Sequence, residues 1–340
     1  MKIWMMTSAA ALSAALVITS CKQDVEKPHI AGPQIPAHFP APHYTAPNNP
    51  YSNAAFELGR HLFYDPLLSI DKTVSCATCH AQNHGFADHN VPKSFGVKGR
   101  MGKRNSPAIF NMIWNTSFMW DGGINHIEIM PLAPLQDTLE MASNLDTIMQ
   151  RLKKSEKYQR LFKNAFGQGQ MTDQRMLHAL AQFMGNLVSG NSKYDKYVTN
   201  KASFTTNEVK GLNLFRQYCE TCHKEPLFTD YSFASNGLDM FPKDSGRMRI
   251  TQLESDRGKF KVPTLRNIAE TYPYMHDGRF DNLNEVLNHY SGGVHQSANT
   301  DSRVNGIQLT EDEKSDIISF LKTLSDYTFL SNPAFSPPPK

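Results

Sequence analysis

Two copies of one pentapeptide, Cys76-Ala77-Thr78-Cys79-His80 and Cys219-Glu220-Thr221-Cys222-His223, constrain this chain more than any other feature. Each is C-x-x-C-H, the attachment signature of c-type haem. Two thiols three positions apart can each bond one vinyl group of a porphyrin. The adjacent histidine then offers its imidazole to the iron from the proximal side. A zinc site made of two C-x-x-C pairs would need the pairs close together, and 143 residues separate these. A thioredoxin-like pair leaves the following histidine, present twice, unexplained. The expected cofactors are therefore two covalent haem c groups on Cys76, Cys79, Cys219 and Cys222, with His80 and His223 as iron ligands.

The repetition extends further. Gly59-Arg60-His61-Leu62-Phe63 precedes the first motif and Gly211-Leu212-Asn213-Leu214-Phe215 the second. Downstream, Pro107-Ala108-Ile109-Phe110-Asn111 matches Pro263-Thr264-Leu265-Arg266-Asn267 at an offset of 156. The same offset pairs Phe118-Met119-Trp120-Asp121-Gly122 with Tyr274-Met275-His276-Asp277-Gly278. Duplication of one haem domain explains this economically. The patterning is helical. Thr205-x-x-Glu208 reads as a capping box opening a helix with Val209, Leu212 and Phe215 on one face. Thr310-x-x-Glu313 opens another, with Ile317, Phe320, Leu321 and Leu324 apolar. Met176, Leu177, Leu180, Met184 and Leu187 mark a long helix, and period-two alternation is scarce. The expected fold is mainly α, with two cytochrome-c-like haem domains related by internal duplication, at 51–200 and 201–332.

A length of 340 residues suits two domains. The balance of 35 basic against 32 acidic side chains gives no reason to expect a nucleic-acid partner. Residues 1–20 contain an apolar run from Ile3 to Ile18, short for a membrane span, which reads as a secretory signal. Its end, Ile18-Thr19-Ser20-Cys21, resembles a bacterial lipoprotein processing site with Cys21 as the lipidated residue. Ordinary cleavage leaving a free Cys21 is the alternative. Residues 21–50 carry seven prolines and read as a semi-stiff tether. The expected location is exported and periplasmic, with membrane contact only through the lipid anchor.

Taken together, the motifs resemble the bacterial di-haem cytochrome c peroxidase family, which includes the di-haem enzyme that matures methylamine dehydrogenase. The resemblance spans roughly residues 51–330. Besides the haem motifs it rests on Arg104-Asn105-Ser106-Pro107, Trp120-Asp121-Gly122, Glu140-Met141, Pro263-Thr264-Leu265-Arg266-Asn267 and His276-Asp277-Gly278. It implies that peroxide reacts at the N-terminal haem and that the C-terminal haem receives and relays electrons. It implies Glu140 as the distal acid, Trp120 between the haems, and His276 as a partner of a haem propionate. It also implies a calcium ion held by the Asn105 side chain and the backbone carbonyls of Thr271 and Pro273, a donor set that suits a hard cation. A carboxylate such as Glu140 has the chemistry required: peroxide must lose a proton to bind and regain one on its leaving oxygen.

Two positions depart from the family pattern. Where many members carry a histidine that caps the peroxidatic iron, this chain has Val97, with His84 and His89 nearby but not at that position. The resemblance then implies an iron already open to peroxide. Where ordinary members use methionine as distal ligand of the C-terminal haem, this chain has Tyr290, as the methylamine-dehydrogenase maturation enzyme does; Met275 and His289 are rivals. An oxygen ligand lowers the haem potential relative to methionine. The offset of 156 puts Pro134, which has no side-chain donor, at the place of Tyr290 in the first copy.

The leading expectation is a cytochrome-c peroxidase that reduces hydrogen peroxide to water with electrons from a small periplasmic donor. The alternatives are a peroxide-driven oxidase that modifies a partner protein or metabolite, and a non-enzymatic electron-transfer cytochrome. A homodimer is compatible with the resemblance.

Overall fold

The computed structural model describes residues 32–339 apart from 89 and 170. The expected signal segment, Cys21 and His89 lie outside the described residues. Helices α1 (Asn53–Tyr64), α2 (Cys76–Cys79), α3 (Leu132–Gln136), α4 (Leu145–Lys153), α5 (Glu156–Phe166) and α6 (Asp173–Gly185) build the N-terminal half. The C-terminal half contains α7 (Lys193–Val198), α8 (Thr206–Tyr218), α9 (Met248–Thr251), α10 (Leu283–Asn288), α11 (Glu311–Lys322) and α12 (Tyr327–Leu330). Its strands β1 (Phe233–Ala234) and β2 (Phe260–Lys261) pair antiparallel. The fold is mainly helical, and no helix among the described residues is long and apolar enough to cross a membrane.

Each half is organised by one close helix crossing. A Cβ added to Gly59 on α1 would stand 1.9 Å from the Ala179 carbonyl oxygen on α6. One added to Gly211 on α8 would stand 1.9 Å from the Asp316 carbonyl oxygen on α11. Glycine is required because backbone meets backbone. Both capping boxes form as expected, Thr205 with Glu208 and Thr310 with Glu313. The face of α8 differs from expectation in one respect. The helix turns Gly211, Leu212 and Phe215 inward, and Val209 is exposed. We expect Gly211→Ala to cost about 1–3 kcal/mol through overpacking, read as a lower melting temperature with both haems still attached. An unchanged melting temperature would mean that the crossing can open freely.

The segments after α6 and α11 are also fixed alike. Asn111 and Asn267 both take a left-handed backbone, φ 53° and 55°, which asparagine tolerates better than other side chains. Their amides donate to the carbonyls of Leu187 and Leu324. Their Oδ1 atoms accept from the amides of Ser189 and Asp326, at 2.9 and 2.7 Å.

The expected domain limits shift. Tyr194 on α7 is buried in the C-terminal core with Phe228 and Phe320, so that core begins before residue 201. After α11 the chain crosses back, placing Phe329, Leu330 and Phe335 in the N-terminal core. Arg60 and Tyr64 on α1 hold this return through the carbonyls of Ser336 and Phe335.

Residues 32–50 are not a free tether. Phe39 packs with Ile113, Trp114 and Leu227, and the Tyr44 amide donates to the Ile113 carbonyl at 2.8 Å. Proline content sets stiffness, whereas Phe39 and Tyr44 supply the apolar area that makes the segment lie down. His38 Nε2 lies 2.7 Å from Asp195. Asp195 is itself gripped by both terminal nitrogens of Arg266 at 2.8 and 2.9 Å, with Asp195 3% and Arg266 1% exposed.

Candidate functional site

The two C-x-x-C-H segments share one local geometry. Helix α2 is a single turn, so Cys76 and Cys79 lie on one face. Cys219 caps the C-terminus of α8. The His80 amide donates to the Cys76 carbonyl at 3.0 Å and the His223 amide to the Cys219 carbonyl at 2.9 Å. Phe86 and Phe228 have positive φ, and their carbonyls face His80 Nδ1 at 2.8 Å and His223 Nδ1 at 3.2 Å. The Pro263 carbonyl lies 3.1 Å from His223 Nδ1. A carbonyl on Nδ1 selects the tautomer with its proton there, leaving Nε2 as the lone-pair donor that a metal needs. Burial pushes both imidazoles below their ordinary range, which favours the neutral ligand form.

Both motifs face one space, partly open to solvent, whose lining includes His80, Glu140, Trp120, Cys219, Cys222 and His223. A neighbouring pocket lies against Cys76, Cys79, His80 and Glu140. Thiols, imidazoles and many apolar side chains line these spaces, as a porphyrin requires, together with charged groups such as Arg104, Glu140 and Lys261.

Glu140 sits in a turn after α3 and lines the N-terminal end of the cavity. Burial, with the Asp137 carboxylate adding to it, pushes its carboxyl up to about 7. The loop carrying Val97 lies directly on this turn. A Cβ on Gly96 would stand 2.1 Å from the Leu139 carbonyl, and the Val97 amide donates to the Glu140 carbonyl at 2.8 Å. Val97 is buried in the core. His84 is turned toward the C-terminal half, with Nδ1 3.2 Å from the Glu270 carbonyl and its ring edge-on to Tyr272. Pro134 lines the cavity beside Glu140.

Trp120 lines the same cavity, and its Nε1 donates to the Asn105 carbonyl at 2.8 Å. Its ring meets Phe260 edge-on, and Phe260 stacks on His276 with centroids 3.8 Å apart. Asn105 also donates its amide to the His276 carbonyl and its Nδ2 to the Pro92 carbonyl. Thr271 and Pro273 line the same cavity. Below Trp120, Arg104 bridges Asp121 and Asp244, and Arg249 also bonds Asp121, which ties the halves together.

At the C-terminal end, α10 runs into a π-turn, His289–Gly293, of the kind often found at functional sites. It presents Tyr290 to the cavity, and burial pushes the phenol up to about 12. Met275 lines the same space. His289 Nε2 is tied to the Asn236 carbonyl at 2.9 Å.

A family model described as di-haem cytochrome c peroxidase matches residues 53–203. The chain is 35% identical over 81% of its length to the methylamine utilization protein MauG of Methylorubrum extorquens, covering 79% of that protein. It is 35% identical over 79% of its length to cytochrome c551 peroxidase of Nitrosomonas europaea, also covering 79% of it. The chain belongs to the di-haem cytochrome c peroxidase family. A solved structure of a MauG-like protein associated with microbial copper homeostasis matches with a TM-score of 0.84 at 32% identity, covering 89% of this chain and 98% of that one. Family membership implies two haem c groups and haem-dependent oxidoreductase chemistry, and it spans relatives named both peroxidase and MauG.

Sequence reasoning missed two cavity residues. Lys261 donates to the Ser117 carbonyl at 2.9 Å, and burial pushes its ammonium down to about 8. Its place two residues before Pro263 was the available signal. Asn236 carried no signal, because it belongs to no motif.

Proposed function

We propose that this chain reduces hydrogen peroxide to water at the N-terminal haem, with electrons entering through the C-terminal haem from a small exported redox protein. The carrying observation is Glu140, a half-buried carboxyl pushed up to about 7, lining the same pocket as Cys76, Cys79 and His80. When bound, the haem supplies a redox-active iron open to small oxygen ligands. His80 and His223, with Nδ1 engaged by backbone carbonyls, would offer Nε2 to the irons, and Cys76, Cys79, Cys219 and Cys222 would tether the rings. Glu140 takes the proton from one peroxide oxygen and returns it to the departing oxygen. Two electrons and two protons then complete the conversion of one peroxide to two waters. Val97 and Pro134 leave that face uncapped, so we expect reaction with peroxide without prior reduction. Trp120, which lines the same cavity, is the natural bridge for electrons.

Lys261 fits the carboxylates of a haem, since among the described residues no carboxylate pairs with it. His276 has the same role in this reading. Asn105 uses its amide, carbonyl and Nδ2 on neighbours, so Oδ1 is the atom it would offer to calcium, alongside carbonyls of Thr271 and Pro273. Export, lipid attachment at Cys21 and origin of the halves by duplication belong to this reading. The paired glycine crossings and paired asparagines support duplication.

Tyr290 favours a second reading, oxidation of a partner protein or metabolite by peroxide equivalents stored at both haems. An oxygen ligand disfavours the reduced state that a relay from a high-potential cytochrome requires. Mass spectrometry of denatured protein should show two retained haem masses. Stopped-flow mixing with peroxide and reduced cytochrome c then separates the readings. Multiple turnover supports the peroxidase, and oxidation by peroxide without cytochrome turnover supports the second. No reaction with peroxide, with both irons low-spin, would sink both.

A further inference from the structure

Three side chains compete to be the distal ligand of the C-terminal haem, and one residue touches all three. Asn236 follows β1 and lines the cavity opposite the turn that carries Tyr290. Its Nδ2 lies 3.4 Å from Tyr290 Oη and 3.3 Å from Met275 Sδ. Its backbone carbonyl accepts from His289 Nε2 at 2.9 Å. We propose that Asn236 is the positioning residue that selects Tyr290 over Met275 and His289 as distal ligand of the second haem. The inference rests on the reading that Tyr290 is that ligand.

The mount is rigid. Three consecutive carbonyls, of Ser235, Asn236 and Gly237, each accept a donor from the 289–301 segment: the Asp301 amide at 2.9 Å, the His289 ring, and the His295 amide at 2.8 Å. Gly237 is needed for this close approach, since its φ is +67° and a Cβ there would stand 2.6 Å from the His295 carbonyl. The amide of Asn236 is therefore held still while the three candidates are presented to it. A preorganised donor of this kind discriminates between acceptors without having to be ordered first.

The discrimination follows from acceptor chemistry. His289 is disfavoured because its ring is tied back through Nε2 to the Asn236 carbonyl at 2.9 Å. An amide nitrogen carries two N–H donors, so Asn236 can hold sulfur and phenol oxygen together. A thioether is a weak acceptor, whereas an oxygen bound to a metal keeps lone pairs and accepts strongly. The same N–H group therefore stabilises tyrosine ligation more than methionine ligation. Met275 has left-handed backbone, φ 74°, matching Met119 at 67° in the first half. Its thioether lines the same cavity as Tyr290, which makes it the ligand expected once the Asn236 donor is removed.

The test uses the di-haem holoprotein and reads electron paramagnetic resonance and redox potential. Asn236→Leu keeps the shape and removes both donors; Asn236→Ser is a smaller change for the case in which Leu impairs folding. Either should convert most of the second haem's low-spin ferric signal to a new one and raise its potential. Adding Met275→Leu should abolish that new signal. Asn236 variants with unchanged spectrum and potential, alongside a changed Tyr290→Phe spectrum, would overturn the selection role alone. A Tyr290→Phe spectrum identical to wild type would instead overturn the ligand reading beneath it.

Discussion

Glu140→Gln should leave both haems attached and slow the reaction with hydrogen peroxide by about a hundredfold or more, since a positioned acid–base group contributes roughly 10²–10⁴ in rate. Gln keeps the shape of the side chain and cannot move a proton. The pH dependence carries the same signature. Burial, then the neighbouring Asp137 carboxylate, pushes the Glu140 carboxyl up to about 7. The deprotonated form accepts the proton from peroxide, so the wild-type rate should rise with pH through about 7 and level off above it. The Gln variant should be flat over that range. Asp137→Asn should move the wild-type inflection to lower pH by removing the like charge. Stopped-flow absorbance checks all three. A near-wild-type rate in the Gln variant would exclude Glu140 from proton transfer.

Arg266→Met should destabilise the protein by about 3–5 kcal/mol, the cost of taking its only permanently charged partner from a buried carboxylate left with His38 and Ser192. Burial alone would raise the Asp195 carboxyl, but the two-nitrogen grip of Arg266 holds it at about 2. Because this carboxyl is depressed, its stabilising contribution is present above about pH 4 and is lost as pH falls through about 2. Adding Asp195→Leu to Arg266→Met should recover much of the loss, since an apolar pair fills the site without an orphan charge. Denaturant unfolding followed through haem absorbance measures both. An Arg266→Met variant within about 1 kcal/mol of wild type would refute the uncompensated-charge account. At the matching place in the first of the two similar sequence segments the chain has Phe110, a buried apolar side chain.

Much of the site was legible because its determinants are contiguous. Five residues carry both thiols and the imidazole of each haem motif, and four span each capping box. Chemistry held in so short a span survives whatever the rest of the chain does. The helical patterns of α8 and α11 were readable for the same reason, except at Val209. Its exposure depends on Gly211 rather than Val209 facing α11, a fact about a partner helix and not about α8.

Sequence by itself determined that this chain would be mainly helical, would carry two haem-attachment segments, and would resemble one family of di-haem enzymes. Tertiary structure alone decided that residues 32–50 lie on the body, because Phe39 and His38 find partners far along the chain; the His38–Asp195 contact spans 157 positions. It decided that Asp195 and Arg266, 71 positions apart, share one buried site, and that Asn236 meets Tyr290 across 54. It also decided that Val97 is part of the core, since that depends on the turn of Glu140 lying against its loop. The physical reason is common to all four. Burial and hydrogen bonding are properties of pairs, and where the two members are distant in sequence, neither one's chemical identity reveals the other.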